Sequence, residues 1–280
     1  MDIDRIYHVS NRPPPVEDWC RLPADWTRAF VTREAPALPA GLALPTLKEL
    51  WTYWLDRPRL EALLAAASLE LLSIAGSHVA DLSMLGAQRR LRGLAIDWNN
   101  KAQSVEFLTE LRALEVLSLQ DLRHVRDLAP LTPLADLRAL QIAGGMDTKM
   151  EIDTLDPLAG LGLVDLRLAN VRIGDGRLDA IAALPRLQTL TIANNAASLE
   201  EFARLSARIP QVRCDQFQPY VRLDGGPLPP GADPVAALDM IGDGRVMVIG
   251  KGNPTLRARS GRTRLLKYCE RFAAARNSVN

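Results

Sequence analysis

The chain has little of several things, and each shortage narrows what it is. Aromatic residues make up 5% of the 280 positions although 48% are hydrophobic, so the core is aliphatic, carried by Leu and Ala. Three cysteines, Cys20, Cys214 and Cys269, are too few and too far apart for a disulfide framework or a C-x-x-C metal pair. Unpaired thiols point to a reducing compartment. The three histidines, His8, His78 and His124, do not form a paired-ligand spacing, so no metal or other cofactor is expected. No apolar run reaches the length of a membrane span. Met1-Asp2-Ile3-Asp4-Arg5 does not have the charged-then-apolar pattern of an export signal, and a cytoplasmic protein is expected. A net charge of +1 argues against a globally basic nucleic-acid binder.

What the chain has in quantity is one phrase. Leu-x-x-Leu-x-Leu/Ile occurs six times at intervals of 22 to 26 residues. The copies are Leu69-Leu72-Ile74, Leu91-Leu94-Ile96, Leu114-Leu117-Leu119, Leu137-Leu140-Ile142, Leu163-Leu166-Leu168 and Leu187-Leu190-Ile192. A fixed period in this range is the signature of a solenoid. The phrase alternates like a short strand with one buried face. Between copies the apolar period changes to three, as in Val105-Leu108-Leu111 and Val125-Leu128-Leu131-Leu134. That spacing suits a 3₁₀ segment or short helix on the opposite wall. The last return half carries its own cap signal, Ser198 followed by Glu201.

On these residues the chain resembles the leucine-rich repeat family, in its short, internalin-like, bacterial type. Val-Arg-Asp-Leu-Ala-Pro-Leu-Thr-Pro-Leu-Ala-Asp-Leu at 125–137 looks like that family's returning half, and the resemblance covers about residues 69–214. It implies an α/β fold: a curved solenoid with a parallel inner β-sheet and 3₁₀ or short helices outside. The asparagine that the family places in the turn after each strand stands here at Asn99 and Asn195, but Ser77, Leu122, Gly145 and Val171 replace it elsewhere, so irregular turns are expected.

The flanks read as caps. Residues 1–45 are a proline-punctuated arm in which Ile6-Tyr7-His8-Val9 and Ala29-Phe30-Val31 are candidate strands. Residues 46–68 read as a helical N-terminal cap, opened by a capping box of Thr46 and Glu49. Its stripe is Leu47, Leu50, Trp51, Trp54 and Leu55, with Pro58 ending or kinking it, and a second helical piece, Arg59 to Ala67, carries Leu60, Leu63 and Leu64 at helical spacing. The solenoid then runs over 69–218, ending in a degenerate copy at Ile209-x-x-Val212-x-Cys214. Residues 219–280 form a C-terminal cap: a Gly/Pro-rich linker, two strands at 245–249 and 255–259, and a helix at about 262–276.

Chemistry is hard to find. Gly244-x5-Gly250-Lys251-Gly252 has the wrong spacing for a P-loop and lacks its Ser/Thr, so these glycines read as hairpin turns. No nucleophile stands with a base, and a non-catalytic protein is expected. The repeat instead predicts a surface. Two columns point away from the core: Leu71, Gly93, Val116, Ala139, Asp165, Thr189 and Ser73, Ala95, Ser118, Gln141, Arg167, Thr191. Six strands give a wall about 24 Å across, enough for one side of a standard protein interface of roughly 800 Å².

The candidate protein-binding residues are Asp97, Trp98, Gln120, Gln141, Asp165, Arg167, Thr189 and Thr191, with Trp98 as anchor or, equally, as a core residue sealing its turn. The insertion Gly144–Met150 is a second candidate contact region. The expected function is binding a protein partner on the inner face, in one version as an antagonist or immunity-type binder. No membrane or small-molecule partner is evident. The alternative is a nucleic-acid-associated adaptor using basic residues of the C-terminal cap, among them Arg257, Arg259, Arg262 and Arg264.

Overall fold

The computed structural model describes residues 3–7, 11–23, 25–225, 227–229, 231–252 and 254–279. All six copies of the leucine phrase lie in one parallel sheet. Its strands are β1 (Arg28–Thr32), β2 (Glu49–Tyr53), β3 (Leu71–Ala75), β4 (Gly93–Asp97), β5 (Val116–Gln120), β6 (Ala139–Ala143), β8 (Asp165–Ala169) and β10 (Thr189–Ile192), hydrogen-bonded in that order. Register is in step throughout: Leu50, Leu72, Leu94, Leu117, Leu140, Leu166 and Leu190 form one ladder. A one-residue slip would turn every leucine of a rung to the other face, so burial of this row holds the register.

Outside the sheet the period-three halves return as 3₁₀ turns at Ser83–Ala87, Glu106–Glu110, Ala129–Leu131 and Asp156–Leu158. The last two are helices, α3 (Asp179–Ala182) and α4 (Leu199–Arg208). Ser198 caps α4 as its sequence predicts, Oγ accepting from the Glu201 N–H at 3.1 Å. The long fourth interval contributes β7 (Met150–Ile152), which pairs in parallel with β9 (Val171–Ile173) of the following interval.

The N-terminal flank differs from the expected arm and helical cap. Residues 49–53 are a strand in place of the expected first helical piece, while the second piece forms as the helix α2, from Arg57 to Ala66, with Leu60, Leu63 and Leu64 buried. The capping box at Thr46 does not form; Thr46 Oγ1 donates to the Trp26 carbonyl, and Asp56 is the cap of α2. The reason lies in an ambiguity of spacing. Apolar residues at i, i+3 and i+4 fit a helix, but Leu47-x-x-Leu50-x-Thr52 also repeats the strand phrase 22 residues before Leu69-x-x-Leu72-x-Ile74. Pairing with β3 satisfies a whole row of backbone groups and buries Leu47 and Leu50 completely, which outweighs local helix propensity. Ala29-Phe30-Val31 is a strand as expected, one rung earlier still, so the sheet starts at Arg28, 43 residues before the first residue of β3.

The C-terminal hairpin and helix form as expected, β12 (Arg245–Val248) against β13 (Thr255–Arg257), then α6 (Arg262–Asn277). The stretch expected as linker also contributes β11 (Tyr220–Arg222), paired with β12, and a helix α5 (Pro234–Ile241) begins at its end. Tyr220, Leu238, Val246, Val248, Leu265 and Cys269 make a small core of their own. The cap docks on the last repeat: Gly250 N–H donates to Asn194 and Lys251 N–H to Ala197, while Arg271 pairs with Glu200 at 2.6 Å. A side chain at Gly250 (φ +110°) would come within 2.7 Å of the Leu199 nitrogen, so this contact needs glycine.

Candidate functional site

The wall is built as the two columns predict. Leu71, Gly93, Val116, Ala139, Asp165 and Thr189 are direct neighbours across the sheet, and so are Ser73, Ala95, Ser118, Gln141, Arg167 and Thr191. β1 and β2 extend both columns, placing Arg28 and Phe30, then Glu49 and Trp51, ahead of β3. Eight strands widen the wall to about 34 Å.

The early rungs are not open. Residues expected to be free for binding, Leu71, Ala95, Val116 and Ala139, are buried, and so is Trp51. They are covered by a short helix, α1 (Ile3–Tyr7), lying on the concave face. Ile3 and Ile6 are 1% and 0% exposed and form with these wall residues an apolar cluster separate from the main core. Trp51 Nε1 donates to the Ile6 carbonyl at 3.1 Å. Further along, the Arg28 guanidinium lies 5.2 Å from the Trp51 ring centre and Arg12 lies 5.5 Å from that of Phe30. Within Ile6-Tyr7-His8-Val9, Ile6 and Tyr7 are helical rather than extended; His8 and Val9 lie outside the described residues. An apolar pair such as Ile3 and Ile6 has the same spacing on any short helix, so nothing local announces that it docks on wall residues from Trp51, 45 residues beyond Ile6, to Ala139.

The predicted site residues therefore fall into three groups. Arg167 is engaged. Its guanidinium donates to Asp4 Oδ1 at 2.8 Å and Oδ2 at 3.4 Å, and to Asp165 Oδ2 at 3.0 Å. Gln141 sits beside it and donates to Ser118 Oγ at 3.2 Å. Thr189 and Thr191, one rung later, line a shallow open cavity of about 310 Å³ with Leu190, Arg213, Asp215 and Gln216; this end of the wall lies beyond Arg167.

Asp97, Trp98 and Gln120 sit at the strand-end edge. Asp97 is mostly enclosed, and its Oδ1 is buried without a hydrogen-bond partner. Burial, reinforced by the charge of Asp121, pushes its carboxyl up to about 7, against the opposing pull of the Trp98 N–H and Arg12. Trp98 is 43% exposed, which decides between its two readings: it does not seal a core. It also stands in the left-handed region (φ +54°), as does Trp54 (φ +57°) at the same place after β2. Between them, after β3, is Gly76, where a Cβ would lie 2.9 Å from Trp54 Nε1. Two half-exposed indoles thus flank a glycine along one edge, a pairing hidden while residues 46–55 are read as a helix. Such a backbone conformation is costly for a bulky residue.

Of the two turn asparagines, Asn99 bonds the turning backbone as expected. Asn99 is fully buried; Nδ2 donates to the Val79 carbonyl, and Oδ1 accepts from the Lys101 and Ala102 N–H groups. The insertion after β6 is tied down by Asn170, whose amide donates to the Gly145 and Thr148 carbonyls.

Burial raises the thiols of Cys214 and Cys269, to about 12 and 11, away from nucleophilic use at neutral pH. His78 faces Asn100 and the Trp54 ring. Among the described residues no cluster of His, Cys, Asp and Glu could hold a metal ion, and no helix is long and apolar enough to cross a membrane. The C-terminal arginines meet more acid than their local sequence offers: Arg257 pairs with Asp243, Arg262 with Asp239 and Arg271 with Glu200.

Solved structures similar to this chain include internalin C2 of Listeria monocytogenes, 21% identical with a TM-score of 0.45, the match covering 57% of this chain and 64% of that one. A second internalin of the same organism, inlF, is 23% identical with a TM-score of 0.41 over 60% of this chain and 53% of its own. A leucine-rich repeat protein of Leptospira interrogans is 14% identical with a TM-score of 0.51 over 81% of this chain and 62% of its own. The chain thus spans less than two thirds of the length of each. No protein-family model matches it, and no curated protein does. Together with the in-register parallel sheet, the likeness to the Leptospira protein establishes the leucine-rich repeat fold.

Proposed function

We propose that this leucine-rich repeat solenoid is a non-catalytic protein-binding module whose partner contacts the concave wall and its strand-end edge. The observation that carries the reading is the way the wall already holds a peptide element, burying Ile3 and Ile6 against small side chains and pairing Asp4 with Arg167. A wall of this width accommodates a standard interface. Trp98, with Trp54 two strands away, supplies the large half-exposed aromatics typical of binding hot spots. Thr189 and Thr191 extend the contact past Arg167. Three free cysteines support placement in a reducing cytoplasm. In that setting, occlusion of another protein, as an antagonist or immunity-type binder does, requires nothing beyond this surface.

The test is site-specific photo-crosslinking in cells of the native host. A photoreactive residue replaces Trp98 or Thr191, with exposed Thr109-side position Glu110 on the outer turn as control. The reading requires one protein adduct common to positions 98 and 191 and missing at 110. The same adducts at all three positions, or adducts only at 110, would refute it.

A further inference from the structure

The contact between α1 and the wall has the make-up of a bound ligand more than that of a core. The apolar cluster formed by Ile3, Ile6, Trp51, Leu71, Ala95, Val116 and Ala139 is distinct from the continuous core between sheet and outer turns. The helix is five residues long, far too short to persist by itself, so its form depends on the surface it lies on. Among the described residues its polar ties include the hydrogen bond from Trp51 to the Ile6 carbonyl and the ion pair between Asp4 and Arg167, whose side chains are 56% and 26% exposed. The receiving residues combine small or branched side chains, Ala95, Val116 and Ala139, with the larger Leu71 and Trp51. Arg167 stands just beyond them, held in place by Asp165.

We propose that α1 is an exchangeable occupant of a helix-binding site, and that the partner bears a short helix of the same chemistry: two aliphatic residues three apart with a carboxylate beside the first. On binding, the partner's aliphatic pair takes the place of Ile3 and Ile6, its carboxylate takes the place of Asp4 on Arg167, and α1 leaves the wall. The inference rests on the reading of the concave wall as a protein-binding surface.

A fluorescein-labelled peptide of residues 1–12 is the probe, used with the full chain. In an Ile3→Glu plus Ile6→Glu variant the wall is vacated in cis, and the peptide is expected to bind with a dissociation constant on the order of 10–100 µM, as a contact well below standard size allows. In the wild-type chain the tethered copy competes at an effective concentration of about 1 mM, so peptide binding is weaker by about 10- to 100-fold. Adding Arg167→Glu to the variant weakens binding about 10-fold, and a peptide with Asp4→Arg recovers it. A variant that melts cooperatively but does not bind peptide at about 1 mM would make α1 a fixed part of the fold and overturn the proposal, while crosslinking from positions 98 and 191 decides the interaction reading by itself.

If the double variant does not fold, Arg167→Glu alone serves. Hydrogen exchange at residues 4–7 is then expected to speed up at least about 10-fold with β3–β6 unchanged, because a docked segment opens without the sheet. Exchange unchanged at 4–7, or raised equally in the sheet, overturns the proposal. So does a wild-type dimer in sedimentation that Ile6→Glu dissolves, which would assign the wall to a second copy.

Discussion

Asp4 and Arg167, 163 residues apart in sequence, are joined by two hydrogen bonds that close the N-terminal segment over the concave sheet. Arg167 also holds Asp165, so one guanidinium ties β8 to α1. The sequence places Arg167 on the wall but gives no hint that its partner is four residues from the start of the chain.

That pair is measurable. Arg167→Ala and Asp4→Ala should each destabilise by about 1 kcal/mol, and the double variant should lose less than the sum by roughly 0.5–1 kcal/mol, the coupling of a partly exposed ion pair. Arg167→Ala is the more costly change because it also strips Asp165 of its partner. Chemical denaturation of the four proteins checks it; strict additivity would mean that the contact contributes nothing.

Asp97 predicts an inverted pH dependence. Its carboxyl is held from an ordinary 3.8 up to about 7, chiefly by burial. Between about pH 4 and 7 the folded chain keeps a proton that the unfolded chain has lost, so the contribution of this group to stability falls as pH rises through that window and is flat above it. Asp97→Asn removes the penalty, and the variant is expected to be more stable at pH 8 by up to about 4 kcal/mol, with little gain at pH 4. Parallel denaturation curves at the two pH values decide it.

Asn99→Ala should cost about 3 kcal/mol, because it leaves the Val79 carbonyl and the Lys101 and Ala102 N–H groups without their partner in a closed turn. Asn195, at the equivalent place in the last rung, is partly exposed; its alanine variant should change stability by less than about 1 kcal/mol. A thermal melt of both compares them directly.

Trp98→Asn separates binding from folding. Replacing a core tryptophan costs about 3–5 kcal/mol, but this one is half-exposed in a left-handed conformation that asparagine adopts readily. Stability is expected to stay within about 1 kcal/mol of wild type, while partner capture falls. A large loss of stability would return Trp98 to the core.

Much of this protein was legible from spacing. The register of the six leucine copies, the 3₁₀ returns, the Ser198 cap, the composition of both wall columns and the C-terminal hairpin and helix all follow from side-chain periodicity, a local property that one burial pattern satisfies. The reading of 46–55 failed because a spacing of three and four serves a helix turn and a Leu-x-x-Leu rung alike, and only the neighbouring strand's open edge decides between them. The same limit hid Trp54 as the companion of Trp98.

Periodicity in the sequence thus specifies the repeat: which leucines point inward, and which residues face the concave side of each rung. What tertiary structure alone decided is whether that side is free. Ile3, Asp4 and Ile6 carry no periodic signal, since one helical turn is too short to have a period. Their place over Leu71, Val116, Ala139 and Arg167 comes from apolar burial and charge pairing between segments far apart in the chain.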